Sequence, residues 1–190
     1  MSWIDYKTYR HPELLEQLLT NGQMDYEPLK GHDIKQVSDN IVKYYRHIPW
    51  PSNVDWHMQP LIYGRKINDA YAAYWPRTVS HAKNMPGLVS LSVNFVDARS
   101  IIPDHRDDMP MLVDVDHWRR EPGYITVVGI DIPGNTMEDA GFHVNQQKKH
   151  IRTGDVVTFD GSHVHGGWNN TDKMRVTFYI SINKDYYAIV

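Results

Sequence analysis

The sequence predicts a mainly β chain: a double-sheet jelly roll with helices packed on one of its sheets. Three observations carry that expectation. The first third has apolar residues at helical spacing. From Pro86-Gly87 onward the spacing changes to strict alternation, broken repeatedly by turn residues. No repeat, low-complexity run or linker divides the 190 residues, so one domain is expected over 1–190. Residues 1–85 form its mostly helical part and 86–190 its jelly-roll core.

Taken in order, His11-Pro12-Glu13-Leu14-Leu15-Glu16-Gln17-Leu18-Leu19 places leucines on one helical face behind an early proline, with an end expected near Asn21-Gly22. A second helix is expected from Asp33 to Arg46, with Ile34, Val37, Ile41, Val42 and Tyr45 on one stripe, stopping before Pro49-Trp50-Pro51. Residues 51–86 read as mixed, with a short helix near Ala70–Tyr74 or Val79–Lys83. Four strands follow, at Leu88–Val96, Tyr124–Ile132, Gly154–Phe159 and Met174–Ile182. Pro133-Gly134 closes the second of them. Shorter strands are expected near Ile101-Ile102 and between Phe142 and Ile151. Alternating strands preceded by helices suit two packed sheets with helices on one outer face.

Composition narrows the chemistry. With no cysteine, disulfides and thiolate metal sites are excluded. A metal would have to be held by some of the 11 histidines and 23 acidic residues. The net charge of -3, without a long run of one sign, asks for neither nucleic acid nor a membrane surface. The apolar runs are far shorter than a membrane span. Met1-Ser2-Trp3-Ile4-Asp5-Tyr6-Lys7 has no basic stretch leading into an apolar one, so the expectation is a cytoplasmic protein.

Three motifs carry chemistry. In Ile102-Pro103-Asp104-His105-Arg106-Asp107, His105 and Asp107 stand two apart, so an extended strand would turn both to one side. Alone, such a pair also arises in a solvated turn beside acids such as Asp104 and Asp108. The second motif runs from Gly154 to Asn170, a strand entering a turn that carries His163 and His165, then a strand again. Two imidazoles and one carboxylate leave three coordination positions open. That suits Fe(II) with a bidentate keto acid and O2; zinc favours a closed tetrahedron or a single water. The third is Arg175-Val176-Thr177. On this strand Arg175, Thr177, Tyr179 and Ser181 share one face, while Val176, Phe178 and Ile180 share the other. A guanidinium fork matches the far carboxylate of a dicarboxylate, with Thr177 adding a bond. The alternative for Arg175 is a surface ion pair with Asp172.

Together these residues resemble the aspartyl/asparaginyl β-hydroxylase family of Fe(II)/2-oxoglutarate dioxygenases, and also the small bacterial amino-acid hydroxylases and lipid A hydroxylases built on the same core. The resemblance runs from about Trp75-Pro76-Arg77-Thr78 to Ile182. It includes Ser92–His105, Tyr124–Pro133, Phe159-Asp160-Gly161-Ser162 and Trp168-Asn169. It implies a double-stranded β-helix of the cupin-like kind, iron held by His105, Asp107 and His165, and 2-oxoglutarate held at its C5 carboxylate by Arg175 with Thr177. The family often sets Arg or His on the strand matching Tyr124–Pro133, to meet the C1 carboxylate. Here Ile125 and Val127 stand there, leaving Asn94, Tyr124 or Thr126. Asp107 argues against a halogenase. The first 60 residues match nothing in the family pattern.

His163 has the same parity as His165 and is the competing ligand, or else a substrate-facing residue. His117, Trp118, Arg119 and Arg120 follow the first motif where a lid is expected; they read an anionic substrate group or form a solvated basic turn. His57, His81, His143 and His150 are given no role. The expected reaction is hydroxylation of a free amino acid or small amino-acid-derived metabolite, with O2 and decarboxylation of 2-oxoglutarate to succinate. Side chains of a peptide or protein are the second choice of substrate. A cupin-like isomerase or lyase without 2-oxoglutarate is more distant, as is a metal-free binding module on a jelly roll.

Overall fold

The computed structural model describes residues 2–41, 53–107 and 123–188. Two antiparallel sheets face each other. The larger is ordered β1 (Trp3–Ile4), β10 (Val156–Asp160), β7 (Gly123–Asp131), β12 (Arg175–Asn183), β5 (Leu88–Val96), β3 (Trp56–Tyr63) and β2 (Asp39–Asn40), with β4 (Lys66–Ile67) paired to β3. The smaller is ordered β6 (Ser100–His105), β11 (His165–Asn169), β8 (Ala140–Val144) and β9 (Gln147–His150). From β5 to β12 the chain alternates between the sheets, apart from the β8–β9 hairpin within the smaller one, which is the winding of a double-stranded β-helix.

Each sheet needs its apolar face covered, and the molecule answers with two cores. One lies between the large sheet and the helices α1 (Pro12–Tyr26) and α3 (Pro76–Ala82), where Leu15, Leu18, Trp75 and Val79 meet Leu91, Val93, Phe95, Phe178 and Ile180. The other lies between the sheets, built from Trp56, Val96, Ile102, Ile125, Val127, Phe142, Val144, Val157 and Phe159. The parity expected of β12 holds. Val176, Phe178, Ile180 and Ile182 join the helix-side core, and Tyr179 packs against the inter-sheet core.

Several elements differ from expectation. α1 does not stop at Asn21-Gly22 but runs to Tyr26. Gly22 is there for packing: a Cβ on it would lie 2.3 Å from the Phe178 ring and 2.9 Å from Ile130. The helix ends where Pro28 removes a backbone donor, within a 3-10 turn over Glu27–Leu29. The helix expected from Asp33 is instead a 3-10 turn, Ile34–Val37, followed by β2. Ser38 Oγ bonds back to the Ile34 carbonyl at 2.9 Å, and Asp39 and Asn40 pair with β3. The run Ser-Asp-Asn competes with helical backbone bonds. Residues 42–46 and Pro49-Trp50-Pro51 lie outside the described residues. Both short helices form, at Asp69–Ala72 (α2) and at α3. The strand β3 was not expected; Pro60 breaks its alternation, and the register shifts between Pro60 and Ile62. β8 and β9 form a hairpin through Asn145 and Gln146, both at positive φ. Among the described residues no helix is long and apolar enough to cross a membrane.

Candidate metal centre

β6 and β11 are neighbours, and their register sets His105 directly opposite His165. Such cross-strand pairs bring side chains within about 5 Å of each other on one face. Asp107 follows two residues after His105, held as the chain leaves β6 by its amide bond to the Gly161 carbonyl, 3.0 Å. Gly161 gives it room, since a Cβ would lie 2.8 Å from Asp107 Oδ2 and 2.9 Å from Ile125. One donor atom from each of His105, Asp107 and His165 falls within 4.8 Å of the other two. Asp107 Oδ1 lies 3.7 Å from His105 Nε2 and 3.6 Å from His165 Nε2.

The donors are oriented for an ion. His105 Nδ1 bonds the Pro103 carbonyl at 2.8 Å, and His165 Nδ1 bonds the His163 carbonyl at 2.8 Å. A carbonyl only accepts, so both Nδ1 atoms carry the proton and both Nε2 atoms present a lone pair to the cluster. Ring contacts fix the imidazoles: Trp56 lies 5.6 Å from His105 and Phe159 4.9 Å from His165. Burial pulls the pKa of His165 below its usual value, with Asp107 opposing that shift and His105 adding to it. The neutral, ligand-competent form is therefore favoured.

Arg175 is 1% exposed. Its guanidinium lies 4.0 Å over the Phe142 ring, and NH1 donates to the Gly141 and Trp168 carbonyls, both at 3.1 Å. It reaches the small sheet because Gly167 has no side chain: a Cβ there would stand 3.2 Å from NH1. Nε and NH2 form the other edge of the fork, and among the described residues neither has a hydrogen-bond partner. Burial lowers the pKa to about 9, which leaves the group charged at neutral pH. That edge carries two parallel N–H donors, the pattern that a carboxylate can accept. Gly167 is two residues along β11 from His165, about 7 Å at strand rise. The cation therefore meets the same strand that carries His165. Asp172, the surface partner considered for Arg175, bonds Arg99 instead at 2.9 Å.

Thr177 is buried beside Arg175 on the same face, and its partner across β5 is Asn94. Asn94 is 2% exposed, and its Oδ1 has no partner among the described residues. Tyr124 and Thr126 require correction as candidates for the C1 carboxylate. They lie on the face of β7 opposite to Ile125 and Val127, toward the helix-side core. Tyr124 packs edge-on to Tyr187 at 5.0 Å, and Thr126 bonds Thr158 and Tyr187. On the side facing the cluster β7 offers the apolar Ile125 and Val127.

His163 does not join the cluster. β11 begins at His165, so the parity argument has no strand to act on; His163 sits in the preceding turn and contributes its carbonyl. His117, Trp118, Arg119 and Arg120 lie outside the described residues. His57, His81, His143 and His150 have partners away from the cluster: Asp55, the Leu14 carbonyl, Asp104 and the Ala140 carbonyl. Sequence reasoning placed Tyr179 on the correct face but gave it no task, yet its hydroxyl touches two members of the cluster. The aromatic Phe142 beneath Arg175 was missed as well, because cross-sheet partners leave no mark in local spacing.

A model of the aspartyl/asparaginyl beta-hydroxylase family matches residues 17–185. The match begins at residue 17, well before Trp75, which corrects the expectation that the first 60 residues lie outside the family pattern: most of α1 and all of β3 fall inside it. No curated protein sequence matches the chain. Among solved structures it is similar to an oxidoreductase of the 2OG-Fe(II) oxygenase family from Burkholderia pseudomallei, with 11% identity and a TM-score of 0.45 over 90% of this chain and 92% of that one. It is also similar to the Cnp3 cupin domain of Schizosaccharomyces pombe, with 9% identity and a TM-score of 0.42 over 70% and 69%. A predicted oxalate decarboxylase from Thermotoga maritima has 14% identity and a TM-score of 0.40 over 68% and 81%. With nearly its whole length inside the family match, this chain belongs to the aspartyl/asparaginyl beta-hydroxylase family.

Proposed function

We propose that the protein is an Fe(II)- and 2-oxoglutarate-dependent hydroxylase of a free amino acid or small amino-acid-derived metabolite. The observation that carries this reading is the unbonded edge, among the described residues, of a buried arginine that bonds the strand carrying His165 of a His-Asp-His cluster. A zinc or manganese isomerase or lyase would have no use for that cation. A metal-free binding module would have no use for three converging donors.

His105 Nε2, His165 Nε2 and Asp107 Oδ1 would hold the iron, which when bound supplies the O2 activation that side chains lack. Arg175, through Nε and NH2, binds the far carboxylate of 2-oxoglutarate by two parallel bonds, with Thr177 beside it. Asn94 faces the same space; turning its amide would present a donor to the near carboxylate. Ile125, Val127, Phe159 and Trp56 form apolar walls that keep water from the reacting atoms. Compactness and the lack of peptide-binding repeats favour a small substrate.

The test is succinate release in air with Fe(II), ascorbate and 2-oxoglutarate, across a panel of free amino acids, their derivatives and short peptides. Release stimulated by a small amino compound, with one oxygen added to that compound by mass spectrometry, is the expected result. Stimulation by peptides alone would move the substrate to side chains within a longer chain. No succinate under any condition, from protein that has taken up iron, would contradict the proposal.

A further inference from the structure

Tyr179 projects from β12 into the cluster. Its hydroxyl donates to Asp107 Oδ2 at 2.8 Å and stands 3.0 Å from His165 Nε2. The two oxygens of Asp107 are therefore in different surroundings. Oδ1 faces both imidazoles, at 3.6 and 3.7 Å. Oδ2 is turned to the phenol, with Gly161 behind it so close that a Cβ there would lie 2.8 Å away. A phenol has one proton to give, and a carboxylate can only accept. An ion on His165 Nε2 would use that lone pair and leave the proton to Asp107.

We propose that Tyr179 is the positioning residue of this metal site: it holds Asp107 Oδ2 so that the carboxylate offers the ion Oδ1 alone. A carboxylate binding through both oxygens would take one of the three coordination positions opposite the protein donors. Holding Oδ2 back keeps that position for the bidentate acid and O2. A side chain that orients a ligand in this way commonly carries 10–100-fold in metal affinity. The inference rests on the metal-binding reading above but does not depend on the substrate.

The experiment measures Co(II) affinity, with the metal alone as probe, for the wild type, Tyr179→Phe, Asp107→Ala and the double variant. Tyr179→Phe keeps the ring and removes the hydroxyl. Its Co(II) affinity should fall about 10–100-fold, while the melting midpoint of the metal-free protein stays near wild type. In the Asp107→Ala background the two imidazoles still bind Co(II) weakly. There the second change should cost nothing more, because the tyrosine acts through Asp107. Affinity for Tyr179→Phe within about twofold of wild type, well below that range, would overturn the inference. An equal loss in both backgrounds would overturn it too, since the phenol would then act on the ion directly. Wild-type protein that takes up no Co(II) would remove the metal-binding reading along with it. A second measurement needs no variant at Tyr179. Infrared difference spectra of the wild type, loaded minus free and assigned with labelled aspartate, should show the wide carboxylate splitting of one-oxygen binding; the narrow splitting of two-oxygen binding would also overturn it.

Discussion

At the scale of single residues, Arg175 and His165 make the sharpest predictions. Arg175 is a buried charge whose hydrogen bonds to the described residues all run through NH1. Arg175→Met removes the two donors on the open edge. 2-Oxoglutarate affinity of the Co(II)-loaded protein should fall on the order of 100-fold or more, since each hydrogen bond to a charged group is worth about 1.5–3 kcal/mol. Co(II) affinity itself should barely change; isothermal titration reads both, and equal losses would make Arg175 a structural residue. His165 predicts a pH dependence. Its folded pKa is lowered by burial, so below the unfolded value of about 6.5 the unfolded chain binds a proton that the folded chain refuses. Its contribution is then fully present above that pH and is lost as pH falls toward the folded pKa. The melting midpoint of the metal-free protein should drop between neutral and mildly acidic pH, and His165→Gln should flatten that drop. That His105 and Asp107 can turn to one side, and that Arg175 shares a face with Thr177 and Tyr179, was legible because two-residue spacing and strand parity are local properties. Tyr124 was misjudged because β7 is buried on both faces, so its sequence does not say which face looks inward. Tyr179 lay on the right face, but its partners come from β11 and from the chain after β6, which spacing within β12 cannot show.

At the scale of elements, α1 seated on the large sheet is the contact most open to test. Gly22→Ala should gain about 1 kcal/mol of intrinsic helix preference. Yet the added methyl would fall 2.3 Å from Phe178, and overpacking of this kind costs about 1–3 kcal/mol. The expected net effect is a lower melting midpoint with unchanged Co(II) affinity; a raised midpoint would mean that the helix shifts freely on the sheet. Glycine is ambiguous in sequence for this reason: near the end of a leucine pattern it reads as a terminator, and only the facing Phe178 reveals it as a close-approach residue. β3 was hidden by Pro60, which breaks alternation within an otherwise strand-like run. The Asp33 helix was misjudged from the stripe of Ile34, Val37 and Ile41. That stripe carried no weight for Ser38, Asp39 and Asn40, which favour capping and turn geometry.

At the scale of the whole molecule, the two-sheet winding brings donors from β6, from the residues just after it and from β11 to one point, and carries Arg175 from the large sheet to carbonyls of the small one. The main strands from Leu88 onward and their order were legible in sequence; the pairing of His105 with His165 is a property of register between distant segments, and only the resemblance anticipated it. An ion at this point would tie the small sheet to the chain beyond it. Co(II) at 100 times its Kd should stabilise the fold by about 2.7 kcal/mol. That corresponds to a midpoint rise of about 5–11 °C for a chain of this size, and Asp107→Ala should lose most of it in differential scanning fluorimetry. The most direct measurement is the visible absorption of the protein mixed anaerobically with Fe(II) and 2-oxoglutarate. The wild type should develop the weak charge-transfer band of an iron-chelated keto acid, and Arg175→Met should do so only at far higher 2-oxoglutarate. No band in the wild type at saturating 2-oxoglutarate, or the same titration curve for both proteins, would contradict the account.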